Sequence, residues 1–458
     1  MMRPAPAAGL ALLLLGPFPA ATEGLTLAQV IEDALARNPE LKGIEESRQE
    51  VAGGVREARA AALPSFKLVS SWNSIRDPSL LNSPDFEEFV ESFPGGSFEP
   101  RRQTLYSLST ELSQPLFTWG KVGAAVDLAR SAVEITETRI DTVRLDIAAE
   151  AAEAYFLLAR AAKALETLEV QRQARAAALE VVQARFDLGD ATRLELLRSK
   201  ASLAAVEPAV ASSHGAVAVA RNRLRRILGL GMSQKMELLP PQAPVPVPPP
   251  LQALIAQPPR RPERSDLERQ EEALRHRIRV VRSEGKPQLD LNGAYGRTAR
   301  RSEDLEDALF RDWRVSIDLS WDFFDGGRRR GQVAQLESQR RQLAWQRRDL
   351  DRRIAEEIAV AHSELVAAQA RWQAAQVAAS AAQEASRVAQ ENYREGVALQ
   401  ADLLDAQEQE TLSVLERIEA RFDAFIQWVR LERSLGRIPS LPAERSGRSD
   451  PEDPEESL

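Results

Sequence analysis

The sequence predicts a mixed α and β fold, in which four membrane-crossing strands per chain form part of a shared β-barrel that continues into a long α-helical coiled coil. Three observations lead to this prediction. The segments 112–229 and 319–436 match at a constant offset of 207 residues, four segments alternate apolar with polar side chains, and two long stretches lack glycine and proline. Because one offset pairs glycines and element ends, it indicates an internal two-fold repeat.

The composition excludes several classes of protein. The chain has 458 residues, no cysteine and three histidines, which lie far apart at His214, His276 and His362. Disulfides, thiolate metal sites and cysteine nucleophiles are excluded, and a histidine metal site is not expected. A net charge of −8 argues against a nucleic-acid binder. Aromatic residues make up 5% and charged residues 28% of the chain, which is typical of long helices and coiled coils.

The N-terminus predicts an exported protein. Arg3, the short apolar run Leu10–Leu15 and the small residues Ala20 and Ala21 form the pattern of a secretory signal peptide, which we assign to residues 1–21. No later stretch of about 18 residues is apolar throughout. We therefore expect no transmembrane helix in the mature chain, so that any membrane crossing would be made by strands.

The repeat divides the chain into two similar halves. At the offset of 207, Gly120 is paired with Gly327 and Gly189 with Gly396. Upstream the offset rises to 223, because the first half contains 16 extra residues between Pro64 and Leu112. The glycine- and proline-containing insert 76–101 in this region is predicted to be a loop.

Domain boundaries follow from this alignment and from composition. Between the repeats the chain is rich in proline and is predicted to be an extended linker, and its C-terminal segment is acidic and predicted to be disordered. After the signal peptide, the first repeat, linker, second repeat and tail are assigned to residues 22–235, 236–262, 263–439 and 440–458.

Four segments are predicted to be strands, at 64–75, 104–117, 287–297 and 312–324. The clearest alternation is in Trp313–Phe323, where odd positions are apolar and even positions are polar. A period of two is the pattern of a half-buried strand. Strands of a soluble β-sandwich show the same alternation. A transmembrane barrel is favoured here because the chain is predicted to be exported, the segments are long enough to cross a bilayer, and four of the seven tryptophans lie on or beside the strands.

Four strands are too few to close a membrane barrel. The smallest outer-membrane barrels have about eight strands, and an open sheet edge is not tolerated in lipid. Several chains must therefore share one barrel. A dimer would supply about eight strands around a packed interior, whereas a trimer would supply about twelve and leave room for a pore.

Helical hairpins are predicted over 124–228 and 332–435. The first arm of each lacks glycine and proline, would reach roughly 95 Å and ends at Gly189 or Gly396. Pro208 is expected to kink the first return arm. A cytosolic or fibrous scaffold would contain similar coils, but the signal peptide and the strands argue against it.

The chain resembles the TolC family of outer-membrane efflux proteins. The matching motifs are LSQPLFTWG at 112–120, its counterpart ending FFDGG at 323–327, the opening segment 25–41, and the helix-tip segments 185–198 and 392–407. Together they cover nearly all of the chain between the signal peptide and the acidic tail.

The resemblance implies a homotrimer with a twelve-strand barrel in the outer membrane of a Gram-negative bacterium, surrounded by outer-membrane lipid and continuing into a periplasmic helical tunnel. It also implies two partners, a periplasmic membrane-fusion adaptor and an inner-membrane pump of the RND or ABC type. Family members serve drug efflux, metal efflux or protein secretion. Many carry a lipidated N-terminal cysteine, which this chain lacks.

The same resemblance implies roles for the helix tips. Asp402 and Asp405 would line the periplasmic constriction, and Glu195 occupies the position of Asp402 in the first half. Two four-residue turns would contact the adaptor: Leu188, Gly189, Asp190 and Ala191, and Glu395, Gly396, Val397 and Ala398. Alternatively, the glycines are plain helix caps and the aspartates are solvated surface charges.

One position departs from the family pattern. The best-known relatives carry an arginine that helps to latch the tips, and this chain has Ala398 there. Arg193, at the other tip, is a candidate substitute.

An enzyme is not predicted, and no cofactor or metal is expected. No nucleophile–base pair or phosphate loop is recognisable, and the glycine pairs at Gly53 and Gly326 are isolated. Two functions remain: a passive, porin-like exit channel of a tripartite efflux or type I secretion system, and a non-conducting trimeric scaffold. A polar inward strand face favours the channel; its members are Ser107, Ser109, Glu111, Asp318 and Asp322.

Overall fold

The computed structural model describes residues 24–75, 103–234, 236–256, 259 and 261–441. The first half contains α1 (Leu27–Arg37), α2 (Pro39–Ala60), β1 (Ser65–Ile75), β2 (Gln103–Phe117), α3 (Lys121–Asp187) and α4 (Arg193–Ile227). The second contains α5 (Leu251–Ala256), α6 (Pro262–Ser283), β3 (Gln288–Ala299), β4 (Arg311–Ser320), α7 (Arg328–Arg394) and α8 (Gln400–Ser434), with short 3₁₀ turns at Glu303–Glu306 and Ala308–Phe310. The predicted signal peptide, the insert 76–101 and residues 442–458 of the tail lie outside the described residues.

The two halves use helices of equal length. Helices α3 and α7 each have 67 residues, and α4 and α8 each have 35. Both long helices begin after a glycine in the left-handed region, Gly120 with φ 79° and Gly327 with φ 89°. The hairpins therefore start three to four residues before the predicted bounds, at the turn that these glycines permit.

Helix α4 is one continuous helix through Pro208, where the sequence predicts a kink. It differs from the sequence expectation in one respect. It contains an 18-residue window of mean hydropathy 1.3, so it is long and apolar enough to cross a membrane, although no such segment was expected. One such helix is weak evidence for a span. Val206 and Val210 of α4 pack against Leu168 of α3, as expected for the return arm of a hairpin.

The strands form one antiparallel sheet in the order β1-β2-β3-β4. The register places apolar residues opposite one another on one face, as in Phe66 opposite Leu112 and Tyr295 opposite Trp313. This face is open in the single chain, where Trp313 is 74% exposed. An extended apolar surface of this kind marks contact with another protein or with lipid.

Strand β4 ends earlier than predicted, at Ser320 rather than at residue 324. The indole N–H of Trp321 donates to the carbonyl of Gly285 at 3.1 Å, and the backbone N–H of Phe323 donates to the carbonyl of Trp321 at 3.0 Å. These bonds turn the chain out of the sheet, so Asp322 is not part of the polar strand face. Strand β3 extends to Ala299, two residues beyond its predicted end.

The main core lies where α1, α3 and α8 meet, remote from the helix tips. Phe156 and Phe425 stack with ring centroids 5.0 Å apart and are fully buried. The linker packs against this region and contains the short helix α5, so it is only partly extended. Leu25 pairs with Leu238 as an isolated β-bridge, and His362 Nε2 lies 2.9 Å from the carbonyl of Pro249.

Candidate functional site

Both long helices end in the same backbone turn, which forms the tip of each hairpin. In the first, Asp190 N–H donates to the Arg185 carbonyl at 2.8 Å and Gly189 N–H donates to the Phe186 carbonyl at 3.0 Å. This pair of bonds is a Schellman motif, which requires a left-handed residue, and Gly189 has φ 85°.

The second tip repeats this turn. Val397 N–H donates to the Asn392 carbonyl at 2.9 Å, Gly396 N–H donates to the Tyr393 carbonyl at 3.2 Å, and Gly396 has φ 75°. The glycines are therefore helix caps. This is compatible with a contact role, because Leu188 and Val397 beside them are 79% and 77% exposed.

Glu195 caps the return helix α4. Its carboxylate accepts from the Thr192 backbone N–H at 2.6 Å and from the Thr192 hydroxyl at 2.9 Å, while Glu195 N–H donates to that hydroxyl at 3.2 Å. These bonds form a capping box. The Thr192 N–H donating to the carboxylate is the largest favourable cause that holds the pKa of Glu195 below its ordinary value.

Asp402 has the corresponding position in α8. Its carboxylate accepts from Leu399 N–H at 3.2 Å. A capping box needs a second hydrogen bond, from the Asp402 N–H to a side-chain oxygen of residue 399. Leu399 has no such oxygen, so only the bond from its backbone N–H to the Asp402 carboxylate is formed. Asp402 and Glu195 therefore act at least as helix-capping groups.

Asp405 lies one turn further along α8 and is exposed. It lines a cleft of ≈ 560 Å³ between the two hairpins, together with Arg175 and Arg198 of the first hairpin. The carboxylates predicted at the constriction thus share one end of the molecule, where the cleft is lined by both acidic and basic side chains.

The hairpins are joined near their tips by a buried glutamine that the sequence did not single out. Gln400 is 6% exposed, and its side-chain amide donates to the Glu195 carbonyl at 3.0 Å and to the Ser199 hydroxyl at 2.8 Å. Its own carbonyl oxygen is buried without a hydrogen-bond partner among the described residues.

Tyr393 adds longer contacts between the tips. Arg185 Nη1 lies 3.4 Å from the Tyr393 hydroxyl, which lies 3.5 Å from Glu195 Oε1. Arg193 makes no hydrogen bond or ion pair in the described part of the chain. Within this chain the tips are therefore connected by Gln400 and Tyr393, not by Arg193. The role of Gln400 could not be recognised in the sequence, because its burial at the start of α8 depends on how the two hairpins pack.

The strand face opposite the apolar one is polar and internally hydrogen-bonded. Asp318 accepts from Asn292 at 2.7 Å and from Ser316 at 2.9 Å. The hydroxyls of Ser71 and Ser107 are 2.7 Å apart. Of the predicted members of this face, only Asp322 falls outside the strands.

Aromatic side chains lie where the sheet meets the helices. Phe117 and Trp119 form an edge-to-face pair with centroids 5.0 Å apart, and Lys286 Nζ lies 5.9 Å from the centre of the Trp119 ring. Phe117 and Trp119 are each 52% exposed in the single chain.

Among residues 24–75, 103–234, 236–256 and 261–441, no group of three or more His, Cys, Asp or Glu residues is placed to hold a metal ion. The site is therefore described by hydrogen bonds, charge and exposure.

The comparisons with known proteins agree on one family. The family described as outer membrane efflux protein matches residues 30–230 and 260–437. Outer membrane protein OprJ of Pseudomonas aeruginosa is 23% identical over 432 residues, covering 92% of this chain and 87% of OprJ.

Solved structures show the same fold. A membrane protein from Pseudomonas aeruginosa is similar with a TM-score of 0.73 at 22% identity, covering 89% of this chain and 92% of its own. The outer membrane protein VceC of Vibrio cholerae is similar with a TM-score of 0.69 at 22% identity, covering 90% and 96%. These matches confirm the resemblance to the TolC family. The chain therefore belongs to the outer membrane efflux protein family, a family of outer-membrane proteins of Gram-negative bacteria with a large periplasmic part.

Proposed function

We propose that three copies of this chain form an outer-membrane channel, the passive exit duct of a tripartite efflux or type I secretion system. The observation that carries the proposal is the four-stranded sheet with one apolar and one polar face, joined directly to two long helical hairpins. In lipid, the apolar face would contact acyl chains and the polar face would line water.

The edges of the sheet support a trimer. Strands β1 and β4 each have one edge without a partner strand in the described part of the chain. Unpaired backbone groups at an edge are not tolerated in the hydrocarbon region. Pairing β4 of one protomer with β1 of the next would remove every edge, and about twelve strands leave room for a water-filled pore.

The helical part would extend this duct through the periplasm. Helices of 67 residues reach about 100 Å. The exposed turns at Gly189 and Gly396 would contact a periplasmic membrane-fusion adaptor, which connects the channel to an inner-membrane pump of the RND or ABC type. The energy for transport would come from that pump.

The gate is proposed at the helix tips. In a trimer, Asp402 and Asp405 would contribute six carboxylates near the axis, with Glu195 close by. Clustered carboxylates attract cations, so the closed channel should be cation-selective and blocked by trivalent cations. The bond between Gln400 and Ser199 would hold the hairpins together, and opening would require them to separate.

Planar-bilayer recording of Asp402→Ala/Asp405→Ala tests the gate. The double variant should lose cation selectivity and trivalent block. If it matches the wild type in both properties, the two aspartates do not form the constriction, although the channel itself would still stand.

A non-conducting trimeric scaffold is the alternative function. It would share the coils and the barrel, but it would not need a polar strand face with hydrogen-bonded Asp318 and Asn292. That face favours the channel.

Assembly is tested by light scattering of the purified protein in detergent. We expect a particle with three times the mass of the mature chain. A stable, folded monomer at all protein concentrations would contradict the shared barrel.

A further inference from the structure

A second region of the chain, well up the hairpins from the tips, has the features of a ligand site. A cavity of ≈ 680 Å³ lies between α3, α4, α7, α8 and the start of the linker. Its apolar wall includes Leu158, Trp372 and Phe422. Cavities of roughly 300–1,000 Å³ with mostly apolar walls and a few polar groups are typical of small-molecule sites.

The polar groups of this cavity are mainly cations. Lys163, Arg221, Arg417 and Arg421 line it, against the carboxylates of Glu166 and Glu237. Glu166 is already paired with Lys163 at 2.8 Å. None of the three arginines has a carboxylate within ion-pair distance among the described residues, so the cavity carries an excess of positive charge.

Arg421 shows that this charge is not neutralised within the chain. Its guanidinium donates to the backbone carbonyls of Pro241 at 3.2 Å and Ala243 at 3.5 Å, and it lies 5.9 Å from the centre of the Phe425 ring. Burial, and then the neighbouring charge of Arg417, lower the pKa of Arg421. Both causes act against the charged form.

Arg221 adds an unused donor. Its Nε is buried and has no hydrogen-bond partner among the described residues. A buried donor without a partner is costly, and an oxyanion is the group that a guanidinium binds best. An anion in the cavity would pair with the guanidinium of Arg221, which has no carboxylate partner among the described residues, and would reduce the repulsion between Arg417 and Arg421.

We propose that this cavity binds an amphiphilic organic anion, with a carboxylate or phosphate head at Arg221 and Arg417 and an aromatic or acyl body against Trp372 and Phe422. The head would be held by charge-assisted hydrogen bonds and the body by burial of apolar surface. The site is separate from the helix tips and from the polar strand face, and it does not depend on a conducting pore.

Calorimetric titration of the full chain in an amphipathic polymer, without detergent micelles, tests this proposal. The probes are 1-naphthoate and its neutral isostere 1-naphthamide. We expect the acid to bind at least about tenfold more tightly than the amide, since one charged contact contributes that much.

Three substitutions and a matched control locate the site. Arg221→Gln and Arg417→Gln should each weaken naphthoate binding at least about fivefold and leave the amide unaffected. Arg417→Lys keeps the charge and should retain the preference for the acid. Arg223→Gln removes an exposed arginine from the same helix as Arg221, outside the cavity, and should change nothing.

Competition identifies the source of the anion. Displacement of naphthoate by dihexanoyl phosphatidate would assign the site to lipid-like phosphates, and failure to displace would assign it to soluble organic carboxylates; both results support an anion site. Equal affinity for acid and amide, unchanged binding in Arg417→Gln, or no binding of naphthoate would each overturn the proposal.

Discussion

The side-chain amide of Gln400 donates to the hydroxyl oxygen of Ser199 at 2.8 Å, joining the first turn of α8 to the second turn of α4. The same amide donates to the backbone carbonyl of Glu195. Because Gln400 is almost fully buried, these bonds form in a region of low dielectric, where a hydrogen bond is electrostatically stronger than in water. The two hairpins are thus connected directly at the end proposed to open.

Gln400→Ala should loosen this connection. Loss of two hydrogen bonds to a buried amide costs about 1–3 kcal/mol. In planar bilayers, the variant should show a higher closed-state conductance than the wild type. Ser199→Ala removes one of the two bonds and should have a smaller effect in the same direction.

Gln409→Ala is the matched control. Gln409 is an exposed glutamine of the same helix, and within the described residues its side chain bonds only to Ser413 of that helix, at 3.4 Å. Its conductance should equal that of the wild type. An unchanged conductance in Gln400→Ala would show that the tips are held by other contacts.

Leucine at Gly189 or Gly396 should distort the hairpin tips. A non-glycine residue in the left-handed region costs roughly 1–2 kcal/mol, although nothing lies within 4 Å of an added Cβ at either position. We expect export by a complemented deletion strain to be lost while the protein remains in the outer membrane at its usual level.

Gly215→Leu is the control that separates the effect of backbone strain at a left-handed residue from the effect of the added side-chain volume. An added Cβ there also meets nothing within 4 Å, but Gly215 lies within α4 and has no positive φ. This variant should export normally. Wild-type export by Gly189→Leu and Gly396→Leu would argue against a specific role for these turns.

An ion-pair network around the buried Arg261 fixes the end of the linker to both hairpins. Arg261 is 5% exposed and pairs with Glu263 at 2.7 Å and with Glu357. Glu263 also pairs with Arg433 at 3.0 Å, and Arg433 pairs with Asp146 at 2.6 Å. The network thereby joins α6, α7, α8 and α3.

Arg261→Ala should destabilise the protein by about 1–3 kcal/mol, because it removes charge-assisted hydrogen bonds from a buried side chain and leaves the half-buried Glu263 carboxylate without one of its partners. Thermal unfolding followed by far-ultraviolet circular dichroism measures the effect. Arg264→Ala is the control, since the Arg264–Asp351 pair at 3.0 Å is exposed and should contribute at most about 1 kcal/mol. Equal losses in both variants would contradict the special role of Arg261.

The capping role of Glu195 should depend on pH. Its folded pKa lies below the ordinary value of 4.5, so its stabilisation is present above that value and is lost as pH falls through the folded pKa. Hydrogen exchange of the first turn of α4 should be faster in Glu195→Gln than in the wild type at neutral pH. The difference should disappear in acid. A difference that grows in acid would contradict the assignment.

The sequence predicted those features of the fold that local chemistry determines. Gly189 and Gly396 end the long helices because their turns need a left-handed residue, and alternation placed Trp313 and Asp318 on opposite strand faces. The early end of β4 was missed because it depends on a bond from Trp321 to Gly285, a residue 36 positions away.

The contacts between the hairpins were missed for a similar reason. Gln400 and Ser199 are 201 positions apart, and their approach depends on how two helices are rotated against each other. The pattern of apolar residues along one helix contains no information about that rotation. Arg221 and Arg417 lie on helices from different halves of the chain. Their presence in one cavity was therefore not predicted either, because it also depends on how these helices pack.

If the assembled chain is a channel, it conducts ions. Single-channel recording of the purified wild-type protein in a planar lipid bilayer measures this property. We expect discrete, cation-selective conductance that trivalent cations block from the side bearing the helix tips. Membrane-inserted protein that shows no conductance in any state would rule out the channel and would favour the scaffold.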